Sequence, residues 1–382
     1  MAKKADFNMD KQRSSLGQLA LERQFVVADS IFELETERVF GNQWIYGCHQ
    51  SEIDESSGCF RLNACGTQLI LLRSESGDVK AFHNFCRHRG SELVTEQNCG
   101  SLGQRIQCPY HAWTYDRQGA LVSAPNMTGQ AGFDKAEYGL KQVECASWHG
   151  LIFVRLVDES HRDLPQLSLS QFMAPLEEHA VDWSFGDLKV TNSIDYEVSA
   201  NWKLIFQNYS ECYHCPTVHP ALNRLTPFKG ASNDVDDGPI LGGPMRLSEE
   251  SETMSSDGKS VGSIFPNLDE QQKRAVAYYT VFPSFFLSAH PDYVLIHRLE
   301  RVSVSSTKVS CQFLFHPDSI AQADFDPSAA VEFWDLTNRQ DWEVCELAQR
   351  GITDVKYEPG PYSNLESVVA AFDRHYRNQL GH

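Results

Sequence analysis

Cys86-Arg87-His88 and, after nineteen intervening residues, Cys108-Pro109-Tyr110-His111 each offer one thiolate and one imidazole. Two Cys and two His can hold a structural zinc, and that is the plain alternative. Zinc fingers, however, pair Cys with Cys and His with His, whereas each loop here alternates the two. The alternation suits a binuclear [2Fe–2S] cluster with both thiolates on one iron and both imidazoles on the other. Replacing two thiolates by neutral imidazoles lowers the cluster's negative charge and raises its potential, so that flavin or ferredoxin donors can reduce it.

A second set of donors lies in NWKLIFQNYSECYHCPTVHP, which carries Glu211, His214 and His219. The segment from Asn201 to about Tyr213 reads as a helix closed by Pro216 and Pro220, and Glu211 and His214 are placed on one helical face. His219 lies past Pro216, so the helix must break for both imidazoles to reach one ion. Two His and one carboxylate form the facial triad of non-haem Fe(II) oxygenases, which leaves positions open for O2 and substrate. The third ligand is expected on the helix Ala329–Arg350, where Trp334, Asn338, Asp341, Cys345 and Ala348 recur at helical spacing. A carboxylate inside that inward stripe is costly unless it is paired or binds metal, which favours Asp341; Asp335 on another face is the alternative.

Other chemistry-bearing residues are less defined. Cys212 and Cys215 have dithiol spacing, yet no thioredoxin-like βαβ pattern surrounds them, and they read as ordinary thiols. Substrate contacts are assigned to the aromatic-rich strands, with Phe282, Phe286 and His290 as candidates. Aromatic faces such as Tyr278, Tyr279 and Phe285 would suit a quaternary ammonium ion or an apolar ring.

The elements that must position these donors fall into two halves. From Trp44 to Val157 short β-rich runs alternate with turns such as ESGD and DRQG, a compact antiparallel domain. Leu164-Pro165 opens a different composition. A strand is expected at Asp187–Tyr196, then the broken helix, then an aperiodic Gly/Ser/Asp/Glu-rich stretch, Thr226–Gln271, read equally as a lid or a solvated insertion. Strands resume at VAYYTVFPSFFLSA, YVLIHRLERV and KVSCQFLFH, and helices close the chain at Ala329–Arg350 and Leu365–Gln379. Strands followed by long helices make this half α+β.

In 382 residues, 33 Lys+Arg stand against 51 Asp+Glu, and the net charge of −18 counts against a nucleic-acid partner. No membrane-length apolar run and no secretory h-region are present, so a cytoplasmic protein is expected, with its eleven cysteines mostly thiols, Cys99 among them. No G-x-G-x-x-G follows a strand, so NAD(P)H can act only through a separate flavin or iron–sulfur reductase.

CRHRG and CPYHAWTYD resemble the Rieske domain, and the second donor set with Asp341 resembles the catalytic α subunit of the Rieske non-haem iron, or ring-hydroxylating, oxygenases. The resemblance runs from about Phe25 to about Tyr376. It implies an α+β chain: an antiparallel β Rieske domain at residues 44–160, a helix-grip (START-like) catalytic domain at 161–382, and an N-terminal helical segment, 1–43, packing on the latter. It also implies a [2Fe–2S] cluster on Cys86, His88, Cys108 and His111, and one Fe(II) on His214, His219 and Asp341. A homotrimer follows from the same resemblance, with His111 of one subunit contacting Glu211 of its neighbour as an electron bridge and Asn208 behind it. Two positions depart from the aromatic-ring dioxygenases. Glu211 stands where they usually have Asp, as in the subgroup acting on carnitine, choline and glycine betaine, and Gln207 stands where Glu is frequent. The expected reaction is therefore monooxygenation or N-demethylation of a quaternary ammonium compound; the alternative is cis-dihydroxylation of an arene.

Overall fold

The computed structural model describes residues 18–53, 58–74, 77–95, 99, 102–157 and 166–381. They form two units, one of Phe40–Ala174 with Ser184–Val190, the other of the N-terminal stretch to Val39 with Pro175–Trp183 and Thr191–His382. The 160/161 boundary and Leu164-Pro165 lie outside the described residues, as does part of the ESGD turn.

The described residues of the first unit hold the strands β1 (Ile45–His49), β2 (Cys59–Ala64), β3 (Thr67–Arg73), β4 (Val79–His83), β5 (Arg105–Gln107), β6 (Thr114–Asp116), β7 (Leu121–Ser123), β8 (Gln142–Trp148) and β9 (Leu151–Arg155). They make an antiparallel sheet ordered β1-β9-β8-β4-β3-β2 and a three-stranded sheet β5-β6-β7. Asp116 shapes the DRQG hairpin by accepting the N–H groups of Gln118 and Ala120 at 2.9 Å each. Arg117, nearly buried, donates to the carbonyls of Arg73 (2.7 Å), Gly103 (2.8 Å) and Gly58 (2.5 Å). One guanidinium thereby ties three loops. Ile70, Leu72, Phe82, Ile106, Trp113 and Tyr115 form the core into which Cys86 and Cys108 are set.

The second unit is built on a six-stranded antiparallel sheet, β10 (Lys189–Val198), β11 (Ile240–Arg246), β12 (Ala275–Val281), β13 (Phe285–Ala289), β14 (Val294–Ser303) and β15 (Ser306–Phe315), ordered β10-β15-β14-β13-β12-β11. The helix Ser328–Ile352 packs against the helix Trp202–Tyr209. Its buried stripe runs through Trp334, Asn338, Cys345 and Gln349, while Ala348, expected on that stripe, is exposed. Among the described residues no helix is long and apolar enough to cross a membrane.

Three local expectations are corrected. The helix from Asn201 stops at Tyr209, so Glu211 and His214 lie in a turn and share no helical face. The aperiodic stretch contains β11, an edge strand: its outer side meets only isolated bridges from Ala231 and Val235, where Pro244 takes part through its carbonyl, accepting the Ser232 N–H at 3.0 Å. Gly242, at φ 139°, has no room for a side chain, since a Cβ would sit 2.1 Å from the Tyr278 carbonyl oxygen. The rest of the stretch is neither free nor solvated throughout; Ser251, Thr253, Met254 and Ser255 are buried, and Thr253 Oγ1 donates to Asp292 at 2.6 Å. Finally, Cys59–Cys99 and Cys212–Cys215 are disulfides, their Cα atoms 5.5 and 5.0 Å apart, in place of the expected free thiols. Spacing of that order is what a disulfide requires.

Candidate metal centres

The two Cys/His loops of the first unit are built alike. Cys86 donates its N–H to Ser91 (2.8 Å) and accepts from Gly90 (2.9 Å); Cys108 donates to Trp113 (2.8 Å) and accepts from Ala112 (3.1 Å). Both loops turn through a left-handed residue four positions after the cysteine, Gly90 at φ 74° and Ala112 at φ 57°. Glycine meets this requirement without strain, alanine only at a cost.

The donor set is segregated by type. Cys86 and Cys108 are buried within side-chain contact of each other, while His88 and His111 are exposed with ring centroids 4.7 Å apart. His88 stacks on Trp113 at 4.8 Å. Tyr115 Oη accepts the Arg87 N–H at 3.0 Å and lies 3.3 Å from Cys86 Sγ, leaving its own proton free to point at the sulfur. Burial pushes the Cys86 thiol above its ordinary range, with Tyr115 pulling it back. Two buried thiols and two exposed imidazoles fit a [2Fe–2S] cluster, which these four residues would hold.

In the second unit, His214, His219 and Asp341 are, among the described residues, the one group of three whose ligand atoms all lie within 4.8 Å of one another. Asp341 Oδ1 is 2.8 Å from His219 Nε2 and 3.3 Å from His214 Nε2. Each ring is held from behind: Glu211 Oε1 lies 2.6 Å from His214 Nδ1, and Gln340 Oε1 2.8 Å from His219 Nδ1. With both Nδ1 atoms occupied, both Nε2 atoms face one point. Glu211 itself is fixed by the backbone N–H groups of Tyr213 and His214. His219 has φ −124° and ψ 65°, ending the helix Cys215–Val218 and preceding Pro220–Leu225. The break that the two prolines imply therefore falls on the ligand itself.

Burial would push His214 down, but Asp341 and Glu211 outweigh it and carry its pKa up to about 10. Burial would raise Asp341, yet His214 and His219 hold it below the usual carboxylate range. Two imidazoles and a carboxylate with their outer atoms satisfied fit one Fe(II). Asp335 is engaged elsewhere, accepting from Tyr196 Oη at 2.8 Å and Arg339 Nε at 3.0 Å. Gln340 was not legible in the sequence. Gln340→Leu is expected to weaken metal retention about 10-fold or more while leaving the fold intact, checked by metal content after dialysis against a chelator.

His214, His219 and Asp341 line a cavity of about 720 Å³ together with Asn208, Tyr209 and Tyr278. Tyr209 and Tyr278 meet edge-on at 6.2 Å, and Trp334 and Phe228 add further aromatic faces. The Tyr278 hydroxyl is buried with no hydrogen-bond partner among the described residues. Among the described residues that line it, Lys229 is the single Lys or Arg. The substrate-contact candidates Phe282, Phe286 and His290 do not line this cavity. Phe286 stacks behind Tyr209 at 4.3 Å, Phe282 packs on Trp202, and His290 stacks on Tyr293 at 4.0 Å, its pKa pushed down to about 3 by burial. Aromatic richness alone could not tell the core from the cavity wall.

Gln207 also has a physical reason. Its Nε2 donates to Asp373 Oδ1 at 2.7 Å, and burial pushes Asp373 up to about 7. Glutamate at 207 would set two carboxyl groups against each other.

Known proteins align with both units. Residues 185–382 match the family "Ring hydroxylating alpha subunit (catalytic domain)", and residues 43–144 match "Rieske [2Fe-2S] domain". The glycine betaine monooxygenase oxygenase subunit of Pseudomonas aeruginosa is 29% identical over 397 residues, covering 95% of this chain and 88% of the relative. A solved quaternary ammonium Rieske monooxygenase superposes with a TM-score of 0.79 at 20% identity, covering all of both chains. Naphthalene 1,2-dioxygenase from Rhodococcus sp. gives 0.76 at 19%, over 94% of each chain. The same fold thus serves very different substrates, and the structural likeness alone does not choose among them.

Proposed function

Since the chain belongs to the ring-hydroxylating alpha subunit family and is the catalytic subunit of a Rieske oxygenase, an oxygen-incorporating oxidoreductase, we propose that its substrate is a quaternary ammonium compound bearing a carboxylate. The observation that carries this reading is the cavity wall, where the His214, His219 and Asp341 ligand atoms share one space with Tyr209, Tyr278, Trp334 and the lone Lys229. The 29% identity to a glycine betaine monooxygenase subunit supports it.

A [2Fe–2S] cluster held by Cys86, His88, Cys108 and His111 would supply electrons, and an Fe(II) held by His214, His219 and Asp341 would supply O2 activation. The aromatic faces receive the ammonium head, which offers no hydrogen-bond donor and is held by ring quadrupoles. Lys229, at the exposed rim, pairs with the carboxylate. Glu211 and Gln340 accept the Nδ1 protons of His214 and His219, which leaves the Nε2 lone pairs for the metal. Hydroxylation of an N-methyl carbon yields an unstable hemiaminal, which collapses to formaldehyde and a tertiary amine. A separate reductase, fed by NAD(P)H, and the homotrimer implied by the resemblance complete the reading.

The test supplies the loaded enzyme with a surrogate reductase and follows O2 uptake and formaldehyde against glycine betaine, carnitine, choline, benzoate and naphthalene. Formaldehyde released with O2 consumed, from the carboxylate-bearing ammonium compounds, is the expected result; uptake with the arenes alone would overturn it. Lys229→Ala should raise KM for the betaines about fivefold, the size of a ~1 kcal/mol exposed ion pair, and leave choline unaffected.

A further inference from the structure

Cys212 and Cys215 bracket His214 and are joined to each other. Both sulfur-bearing residues line the cavity; Cys215 is buried and Cys212 half-buried. The four residues between and including them form a turn that is closed twice. The Cys215 N–H donates to the Cys212 carbonyl at 3.2 Å, and the sulfurs are bonded. This turn carries His214, and Glu211, one residue before it, accepts backbone N–H groups from Tyr213 and His214 within it. No step of the proposed reaction uses either sulfur.

We propose that Cys212 and Cys215 are a reversible redox modification site in the cavity wall, whose state sets how firmly the His214 turn is held. Oxidation proceeds by exchange with a low-molecular-weight disulfide. A Cys thiolate attacks one of its sulfurs, the mixed disulfide forms, and the second Cys displaces it. The Sγ–Sγ bond forms, the oxidant's S–S bond breaks, and the two electrons and two protons leave on two small thiols. An excess of thiol reverses the exchange. In the dithiol state the turn loses its covalent closure, and His214 is then held by hydrogen bonds alone, from Glu211 and from the Thr217 and Val218 N–H groups to its carbonyl. In the disulfide state a covalent link restricts the same residues.

The experiment uses the purified full chain with its metals, equilibrated with glutathione disulfide or with glutathione, then alkylated and read by peptide mass spectrometry. The peptide spanning 212–215 should carry no alkyl group in the first condition and two in the second, and should interconvert on swapping the buffers. Identical labelling in both conditions would overturn the site. Release of mononuclear iron to a chelator should be at least about threefold faster from the dithiol state, and Cys212→Ser should behave like that state in both buffers. Equal release rates would overturn the link to the His214 turn. The labelling needs neither iron nor a folded variant, so it stands apart from the functional reading. A chain that cycles its thiols but binds no mononuclear iron would sink that reading and leave the redox site standing.

Discussion

His219→Ala is expected to abolish turnover, by about 100-fold or more, while the visible absorption of the cluster persists. His219 is 2% exposed, and its ring is gripped on both sides, Nε2 2.8 Å from Asp341 Oδ1 and Nδ1 2.8 Å from Gln340 Oε1. Without the imidazole, Asp341 and His214 offer two ligand atoms, too few to hold iron against hydration or a chelator. The cluster donors sit in loops closed by their own backbone bonds, Cys86 with Gly90 and Ser91, and Cys108 with Ala112 and Trp113. Nothing in those loops depends on residue 219. Iron content should therefore fall by one per chain with labile sulfide unchanged, measured colorimetrically beside O2 uptake. Loss of sulfide as well would mean global unfolding, which a circular dichroism melt separates. Persistent turnover would refute the ligand set outright, since Asp335, the other carboxylate considered, is committed to Tyr196 and Arg339.

The grouping of His214, His219 and Asp341 was legible because metal chemistry restricts residue type and local spacing together. Cys86, His88, Cys108 and His111 sit in two short loops, and Asp341 is a carboxylate on a largely inward-facing stripe. What supports them was not legible. Gln340 is one residue before Asp341 and has no periodic signature; its role exists only because His219 arrives from 121 positions away. Lys229 looks like any surface lysine until the cavity is formed. The relation of Glu211 to His214 was found for the wrong reason. A helical face was expected, but Ser210 Oγ bonds back to the Phe206 carbonyl at 2.6 Å as the helix ends, and the Glu211 carboxylate builds the following turn. The strand Ile240–Arg246 was hidden by Gly242, Gly243 and Pro244, residues that normally mark loops and are permitted here by an edge position. The fold class needed no such detail, because alternating short strands followed by long amphipathic helices already restrict the architecture.

Glu35 is the residue that no local pattern could single out, and its removal carries the largest expected cost in stability. The carboxylate is fully buried. Its Oε1 accepts from Lys203 Nζ at 2.5 Å and Tyr376 Oη at 2.6 Å; its Oε2 accepts from Trp202 Nε1 at 2.9 Å and Arg301 Nη1 at 3.3 Å. Lys203 and Arg301 are both buried as well, so one carboxylate answers two cations. Burial pushes the Lys203 ammonium below its ordinary range, and Glu35 is the leading influence that draws it back. Glu35→Ala removes the carboxylate that faces the buried Lys203 ammonium and takes an acceptor from Arg301, Trp202 and Tyr376, while Arg301 keeps the Phe32 carbonyl and the Thr36 hydroxyl. The expected loss is about 3–5 kcal/mol, read from denaturant unfolding of the second unit. Glu35→Gln keeps the shape and two acceptor contacts but not the charge, and should fall between. The decisive control is Glu35→Leu combined with Lys203→Met. If the pair contributes mainly through the penalty of leaving a lone buried charge, the double variant will be more stable than the sum of the singles requires. Strict additivity would show instead that the two side chains act independently. The consequence reaches the metal centre through the chain itself, because Lys203 sits in the first turn of the helix Trp202–Tyr209 and that helix leads directly into Glu211 and His214. Glu35→Ala should therefore lose its mononuclear iron at lower denaturant than the cluster's absorption is lost, whereas simultaneous loss of both would place the damage in the whole chain and not in this unit.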